Sequence, residues 1–297
     1  MSAFYQPTTW TELITDLQRM TKQGHVLAGG TDLIPSLRHR KDDAPAQYLS
    51  LIACQPLHAL CVEGNFLKIG AMVTHSEAAR HPMMQNHFQA LAQACAHVGS
   101  VQIRNKGTLV GNIMNGSPAG DVLPCAYLYH GEAELLDHTG STRRLSLQDL
   151  PRTATGRVGC PVGTIMTALY LPITSGLQSA FVKLGSRREV TIAQISFALS
   201  WHTQDALPFN FAGYLGAVDT QPLAIAPLGF LDGHIPNTDD SDHLGQILSE
   251  TIRNVRMRRK RASKMKIFPE EKLYKERAVF AVSEDILHLC VQSFLVD

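Results

Sequence analysis

The chain carries almost no net charge. Its 27 Lys and Arg stand against 26 Asp and Glu, a formal +1, so no global field draws it to nucleic acid or a membrane surface. It has no run of eighteen apolar residues, and no transmembrane helix is expected. The segment Met1-Ser2-Ala3-Phe4-Tyr5-Gln6-Pro7 has neither a basic n-region nor an apolar h-region, and no secretory signal is expected from it. The cysteines (Cys54, Cys61, Cys95, Cys125, Cys160 and Cys290) never fall at C-x-x-C spacing, and most lie in apolar stretches. Buried thiols in a reducing cytoplasm are therefore expected, rather than a zinc or iron–sulfur site built from this chain. The 13 histidines contain no H-E-x-x-H, and neither a G-x-G-x-x-G fingerprint nor a Walker A sequence occurs. Internal repeats and low-complexity tracts are also missing.

What remains is a chain of 297 residues, 44% hydrophobic and 18% charged, enough for one large or two ordinary domains with a sizeable core. Its most informative feature is a pair of glycine-centred segments. The first is Leu27-Ala28-Gly29-Gly30-Thr31-Asp32. The second is Gln102-Ile103-Arg104-Asn105-Lys106-Gly107-Thr108-Leu109-Val110-Gly111-Asn112, running on to Ser117-Pro118-Ala119-Gly120-Asp121. Bare backbone approaches a ligand closely, and consecutive N–H groups can converge on an anion. Thr31 adds a hydroxyl donor, and Asp32 can orient its loop by accepting backbone N–H bonds. Together the segments point to a clamp on a dinucleotide.

The coarse pattern reads as α+β. Trp10, Leu13, Ile14 and Leu17 predict a helix over 9–20 behind Thr8 and Thr9. Strands are expected near 25–28 and 47–52, and a hairpin turns at Glu63-Gly64-Asn65. Thr74-His75-Ser76-Glu77 is a capping box. A longer helix is expected over 84–98, with Phe88, Leu91, Cys95 and Val98 on one face. An apolar stretch from Pro124 leads to a strand at Ala133–Leu136. Residues 137–160 read as turn-rich, and Ile165–Leu171 as a strand ending at Pro172. Alternating segments around 179–184, 191–202 and 211–218 predict an antiparallel sheet, followed by helices over 242–258 and 270–294. The boundary is placed at 173–176, giving lobes 1–173 and 174–297.

The ordered set Ala28-Gly29-Gly30-Thr31-Asp32, Gln102-Ile103-Arg104-Asn105, Thr108-Leu109-Val110-Gly111-Asn112 and Ser117-Pro118-Ala119-Gly120-Asp121 resembles the FAD-binding subunit of molybdenum hydroxylases, the xanthine dehydrogenase and carbon monoxide dehydrogenase relatives. Ile69-Gly70-Ala71 with Thr74-His75 matches the same style, and Phe181-Val182-Lys183-Leu184-Gly185-Ser186-Arg187-Arg188-Glu189 is similar to the xanthine dehydrogenase branch. The resemblance implies two α/β subdomains, about 1–55 and 56–173, gripping FAD (the PCMH-type fold). A C-terminal domain, 174–297, adds a small antiparallel sheet and helices. It implies a cytoplasmic, electron-transferring subunit that takes electrons from [2Fe–2S] clusters of one partner, reduced by a molybdenum-cofactor partner, and passes them to NAD or another acceptor. No nucleic-acid or membrane partner is implied. By the same resemblance Leu27, Ala28, Gly29, Gly30, Thr31, Asp32 and Leu33 wrap the pyrophosphate, and Thr108 donates to a phosphate. Gly111 and Asn112 approach the flavin side, Asp121 contacts a polar part of FAD, and Lys183 lies near the isoalloxazine or its phosphates. Met166 forms an apolar wall, and the loop 185–189 borders the acceptor site.

Bland readings stand beside these. Asp121 suits a helix N-cap before Val122, Arg104 suits a salt bridge as well as a phosphate, and Lys183 suits an edge-strand gatekeeper. The run Arg253, Arg256, Arg258, Arg259, Lys260, Arg261, Lys264, Lys266 reads as a solvated helix end meeting Glu270 and Glu271, or as a partner contact; interleaved aromatics are absent. Two departures from the family pattern matter. Val110 stands where a glycine is common, which suits extended backbone but not φ > 0, and Lys106-Gly107 replaces a small apolar pair. They keep a flavin-free scaffold in play, beside a stand-alone flavin reductase of related fold.

Overall fold

Local chemistry sets the first elements. The Thr9 hydroxyl accepts from the N–H of Glu12, whose carboxylate accepts from the Thr9 N–H, a reciprocal cap that starts a helix. Leu13 and Leu17 then bury one face of that helix. The structure, a computed structural model, describes residues 3–21, 24–38, 47–153, 158–161, 163–186, 191–262 and 269–294, with backbone alone at 259–262, 269–274, 276 and 277. Its first part runs β1 (Ala3–Tyr5), α1 (Trp10–Arg19), β2 (Gly24–Leu27), α2 (Leu33–Arg38) and β3 (Gln47–Ser50). The three strands form a parallel sheet in the order β1-β3-β2.

The second part begins with the expected hairpin, β4 (Leu60–Glu63) and β5 (Phe66–Gly70). Six helices follow: α3 (His75–Arg80), α4 (Pro82–His87), α5 (Gln89–His97), α6 (Val101–Arg104), α7 (Leu109–Asn115) and α8 (Val122–Leu128). Then come β6 (Glu132–Asp137), β7 (Thr142–Ser146) and β8 (Thr164–Pro172). These strands make an antiparallel sheet in the order β4-β5-β8-β6-β7. Two expectations need correction, and one stretch left without an element receives one. The helix foreseen over 84–98 breaks at Phe88, with φ −136 and ψ 48, where the ring turns into the core edge-on to Tyr129, centroids 5.0 Å apart. The apolar stretch from Pro124 is helical up to Leu128. The turn-rich stretch 137–160 contains the strand β7, whose Arg143 and Arg144 are exposed. Its apolar alternation is hidden because Arg144 covers the Tyr170 ring, 3.4 Å from the centroid, in place of a buried aliphatic residue.

The third sheet is β9 (Leu177–Gly185), β10 (Ala193–Gln204), β11 (Leu207–Gly216) and β12 (Leu223–Ile225), antiparallel in the order β12-β11-β10-β9. The helices α9 (Thr238–Ala262) and α10 (Pro269–Gln292) close it. Trp201, Phe197 and Leu199 meet Leu244, Leu248, Val279 and Ile286 in a core of their own, separate from the core beneath the helices of the first two sheets.

The free edge of β9 is covered by α5 through a matched spacing. Ser179 Oγ donates to Gln89 Oε1 at 3.0 Å, the Phe181 N–H donates to Gln93 Oε1 at 2.8 Å, and Lys183 Nζ donates to the His97 carbonyl at 2.7 Å. Four helical residues rise about 6 Å and two strand residues about 6.6 Å, so every fourth helix position meets every second strand position. This seam blunts an exposed sheet edge and ties the third sheet to the helical layer. Gln93→Leu removes the acceptor from the buried Phe181 N–H and is expected to lower unfolding stability by about 1–3 kcal/mol. Gln85→Leu, on an exposed face, should change it by less than about 0.5 kcal/mol. Chemical denaturation of both variants checks this.

Candidate functional site

The parallel sheet delivers β2 into the first glycine segment, and the turn between α6 and α7 brings the second against it. The two touch through backbone. A Cβ on Gly29 would overlap the Lys106 carbonyl oxygen and would lie 2.9 Å from Gly107 Cα. Gly29 is thus required by loop-to-loop contact, whatever it does for a ligand. Gly30, at φ +72, turns the chain into α2, where the Ile34 N–H donates to the Gly30 carbonyl; L side chains rarely adopt that φ. The second loop is held from the other side. The His75 N–H donates to the Gly107 carbonyl and the Leu109 N–H to the Val73 carbonyl, each at 3.0 Å, and Thr74 pairs with Thr108.

A cavity of about 530 Å³ opens beside this joint, within the usual range of ligand sites, about 300–1,000 Å³. It is lined by Leu27, Ala28, Gly29, Gly30, Thr31, Asp32 and Leu33 from one side and by Thr108, Gly111 and Asn112 from the other, with Met166 of β8 in its wall. Eleven of the thirteen residues expected to bind a cofactor are therefore brought together. Among the described residues, no acceptor is found for the N–H groups of residues 29–33. Thr108 Oγ1 accepts from the Gly111 N–H at 3.1 Å, capping α7, which leaves its hydroxyl proton for another acceptor. No Lys or Arg is found in the described lining; its ionisable side chains are Asp32, His25 and His75. An anion here is met by amides and hydroxyls, the donor set that suits a pyrophosphate.

Asp121 and Lys183 do not line this cavity. Lys183 Nζ donates to Asp121 Oδ2 at 2.6 Å, with side chains 9% and 7% exposed. Asp121 occupies the N-cap position of α8, but its carboxylate caps nothing, and its Oδ1 is buried without a partner. Burial pushes the Asp121 carboxyl above its usual range, while Lys183 pulls it back. Lys183 sits on an edge strand, as the gatekeeper reading has it, but buried in this pair rather than solvated. Asn112 connects the two places. It lines the cavity, its Oδ1 is also buried without a partner, and that oxygen lies 3.5 Å from the position a Cβ on Gly120 would take.

The remaining candidates resolve individually. Val110 lies within α7 in helical backbone, neither extended nor at positive φ, so the residue is sterically accommodated and its side chain is buried. Lys106 contributes its carbonyl to the joint, and its side chain is exposed. Arg104 donates to the Val98 and Gly99 carbonyls, holding the turn after α5 in place of an ion pair. Arg187, Arg188 and Glu189 of the 185–189 loop lie outside the described residues, as do the side chains of the basic run from Arg259 onward. Arg258 reaches Asp219 at 4.0 Å. The cysteines are free thiols; Cys54, Cys95, Cys125 and Cys290 are buried, whereas Cys61 is exposed. His75, read from the sequence only as part of a capping box and of the family's style, is buried in the cavity lining; a helix-start motif carries no sign of that placement.

Residues 1–174 match the family described as the FAD binding domain in molybdopterin dehydrogenase. The nicotinate dehydrogenase FAD-subunit of Eubacterium barkeri is 30% identical over 194 residues, 64% of this chain and 65% of that one. The xanthine dehydrogenase FAD-binding subunit of Escherichia coli O157:H7 is 28% identical over 182 residues, 59% of this chain and 60% of that one. The chain thus spans 65% and 60% of the lengths of these two curated relatives. Among solved structures, quinoline 2-oxidoreductase from Pseudomonas putida 86 has the same fold, with a TM-score of 0.84 at 18% identity over 99% of this chain and 98% of that one. The Cu,Mo-CO dehydrogenase aligns with a TM-score of 0.79 at 20% identity over 97% and 96%. The chain belongs to the FAD-binding subunits of the molybdenum hydroxylase family, and its cofactor is FAD.

Proposed function

We propose that this protein is the electron-transferring flavoprotein subunit of a multi-subunit, xanthine dehydrogenase-like molybdenum hydroxylase. Its partners are a molybdenum-cofactor subunit and a [2Fe–2S] subunit, and its electrons leave to NAD or another acceptor. FAD supplies the chemistry, accepting electrons singly and releasing them in pairs; the chain binds and orients it. The observation that carries the reading is the joint between Gly29 and the Lys106–Gly107 backbone, which places amides with no acceptor among the described residues, together with the Thr108 hydroxyl, around one cavity. The names of the relatives, FAD subunits of a nicotinate and a xanthine dehydrogenase, support it. Residues 1–173 form the FAD-binding domain, in subdomains of about 1–55 and 56–173, and residues 174–297 form the C-terminal domain. Among the described residues no helix is long and apolar enough to cross a membrane, in keeping with work in the cytoplasm.

Within this reading residues 27–33 wrap the pyrophosphate, and Thr108 donates to a phosphate. Gly111 and Asn112 lie toward the flavin, with Met166 as an apolar wall. The Asp121–Lys183 pair sits beyond Asn112, where a polar edge of the isoalloxazine would find both a cation and an unpaired carboxylate oxygen.

Gly30→Val forces a β-branched residue to φ +72 and should weaken FAD binding at least about tenfold, the scale of one lost charged hydrogen bond; an FAD titration against wild type checks this. Asp121→Ala would strand a buried Lys183 charge and lower stability by about 3–5 kcal/mol. Asp121→Asn keeps the shape and should weaken FAD binding more than it lowers the melting temperature; both readouts on one preparation decide it. Anaerobic NADH should bleach the flavin bands of the assembled complex. Bands that stay unbleached would assign the electrons to a different acceptor.

A further inference from the structure

His75 has no structural reason to be a histidine. It is 2% exposed, and its Nδ1 is buried with no hydrogen-bond partner. Its backbone fixes the second glycine loop through the N–H bond to Gly107, which any residue can make. Burial, aided by the charge of Arg104, lowers the ring's pKa to about 4, so at neutral pH the imidazole is uncharged. A buried ring nitrogen without a partner is a liability for folding, and an apolar side chain of the same shape would serve the core as well or better. The ring nevertheless lines the cavity at the point where the two loops join. Its Cδ2 lies 3.4 Å from the position of a Cβ on Gly107, which is itself 3.2 Å from Thr31 Oγ1.

We propose that His75 is a cofactor-binding residue, its imidazole donating a hydrogen bond to FAD where the two glycine loops meet. The inference rests on the placement of the pyrophosphate along residues 27–33. Phosphate oxygens only accept, and a neutral imidazole keeps one N–H to give. The ring thus adds a donor to a lining whose described residues include no Lys or Arg, and it does so without a permanent charge that would have to be buried when the cofactor is absent.

The test compares His75→Phe, which keeps the ring's bulk without its nitrogens, with His75→Asn, which restores a donor. FAD is titrated into each flavin-free full chain and followed by flavin fluorescence, with thermal unfolding recorded without FAD. His75→Phe should melt at or above the wild-type temperature while its FAD affinity falls at least about tenfold, the scale of one hydrogen bond to a charged group; His75→Asn should recover part of the loss. Wild-type affinity in His75→Phe overturns the inference alone, whereas a wild-type chain that takes up no FAD overturns the site itself. A second readout does not depend on the Phe variant folding. In the 15N-histidine spectrum of the wild type, the His75 ring signals, assigned by their loss in His75→Asn, should move on FAD addition. Signals that stay in place reject the contact.

Discussion

The contact between two stretches of bare backbone, at Gly29 and at Lys106–Gly107, is the constraint on which the rest of the site depends. Neither loop is a ligand site by itself. The first leaves a three-stranded parallel sheet, which fixes its root, and Gly30 turns it into α2. The second is pinned by the chain after β5, where Val73 and His75 bond to Leu109 and Gly107 on either side of the Thr74–Thr108 pair. Where the two loops meet, the amides of 29–33, which have no acceptor among the described residues, share one cavity with the Thr108 hydroxyl. Backbone atoms cannot change rotamer, so the donors around this cavity are preorganised in a way that side-chain donors would not match.

Charge is distributed accordingly. The described cavity lining holds no permanent cation, and the buried Lys183 is already matched to Asp121. Such a pair adds little to stability, since desolvation opposes its attraction, but breaking it is costly. Its position is set from outside the cavity. The α5–β9 seam carries the Lys183 ammonium to the His97 carbonyl, so the third sheet and its helices bear on the cavity through one strand. The three sheets are thus connected mechanically as well as covalently: β8 gives Met166 to the cavity wall, and β9 gives Lys183 to the region beyond Asn112.

The sequence made the glycine segments legible because their φ and close-approach requirements leave a compositional mark, and the motif order was enough to assign family and cofactor. It made α1, the β4–β5 hairpin and the long antiparallel strands legible because apolar spacing and capping boxes are local. It concealed α7 and α8, since Gly111 was read as part of a ligand-binding segment and Pro124 as the start of an apolar stretch, although burial against β8 and β10 holds both segments helical. It concealed the α5–β9 seam because the partners are eighty-six to ninety residues apart in sequence and the glutamines involved look like surface residues. It concealed the ring of His75 because nothing local distinguishes a histidine at a helix start from one that faces a cavity. Val110 was judged by loop geometry, whereas the helix around it supplies an ordinary backbone.

The central claim is that amides at the joint of the two loops hold the cofactor, and amide hydrogen exchange measured with and without FAD tests it most directly. The account predicts that FAD slows exchange at residues 29–33 and around Thr108 to Asn112 before any other part of the chain. Unchanged exchange there, with protection appearing elsewhere, would contradict it and move the cofactor away from the glycine loops.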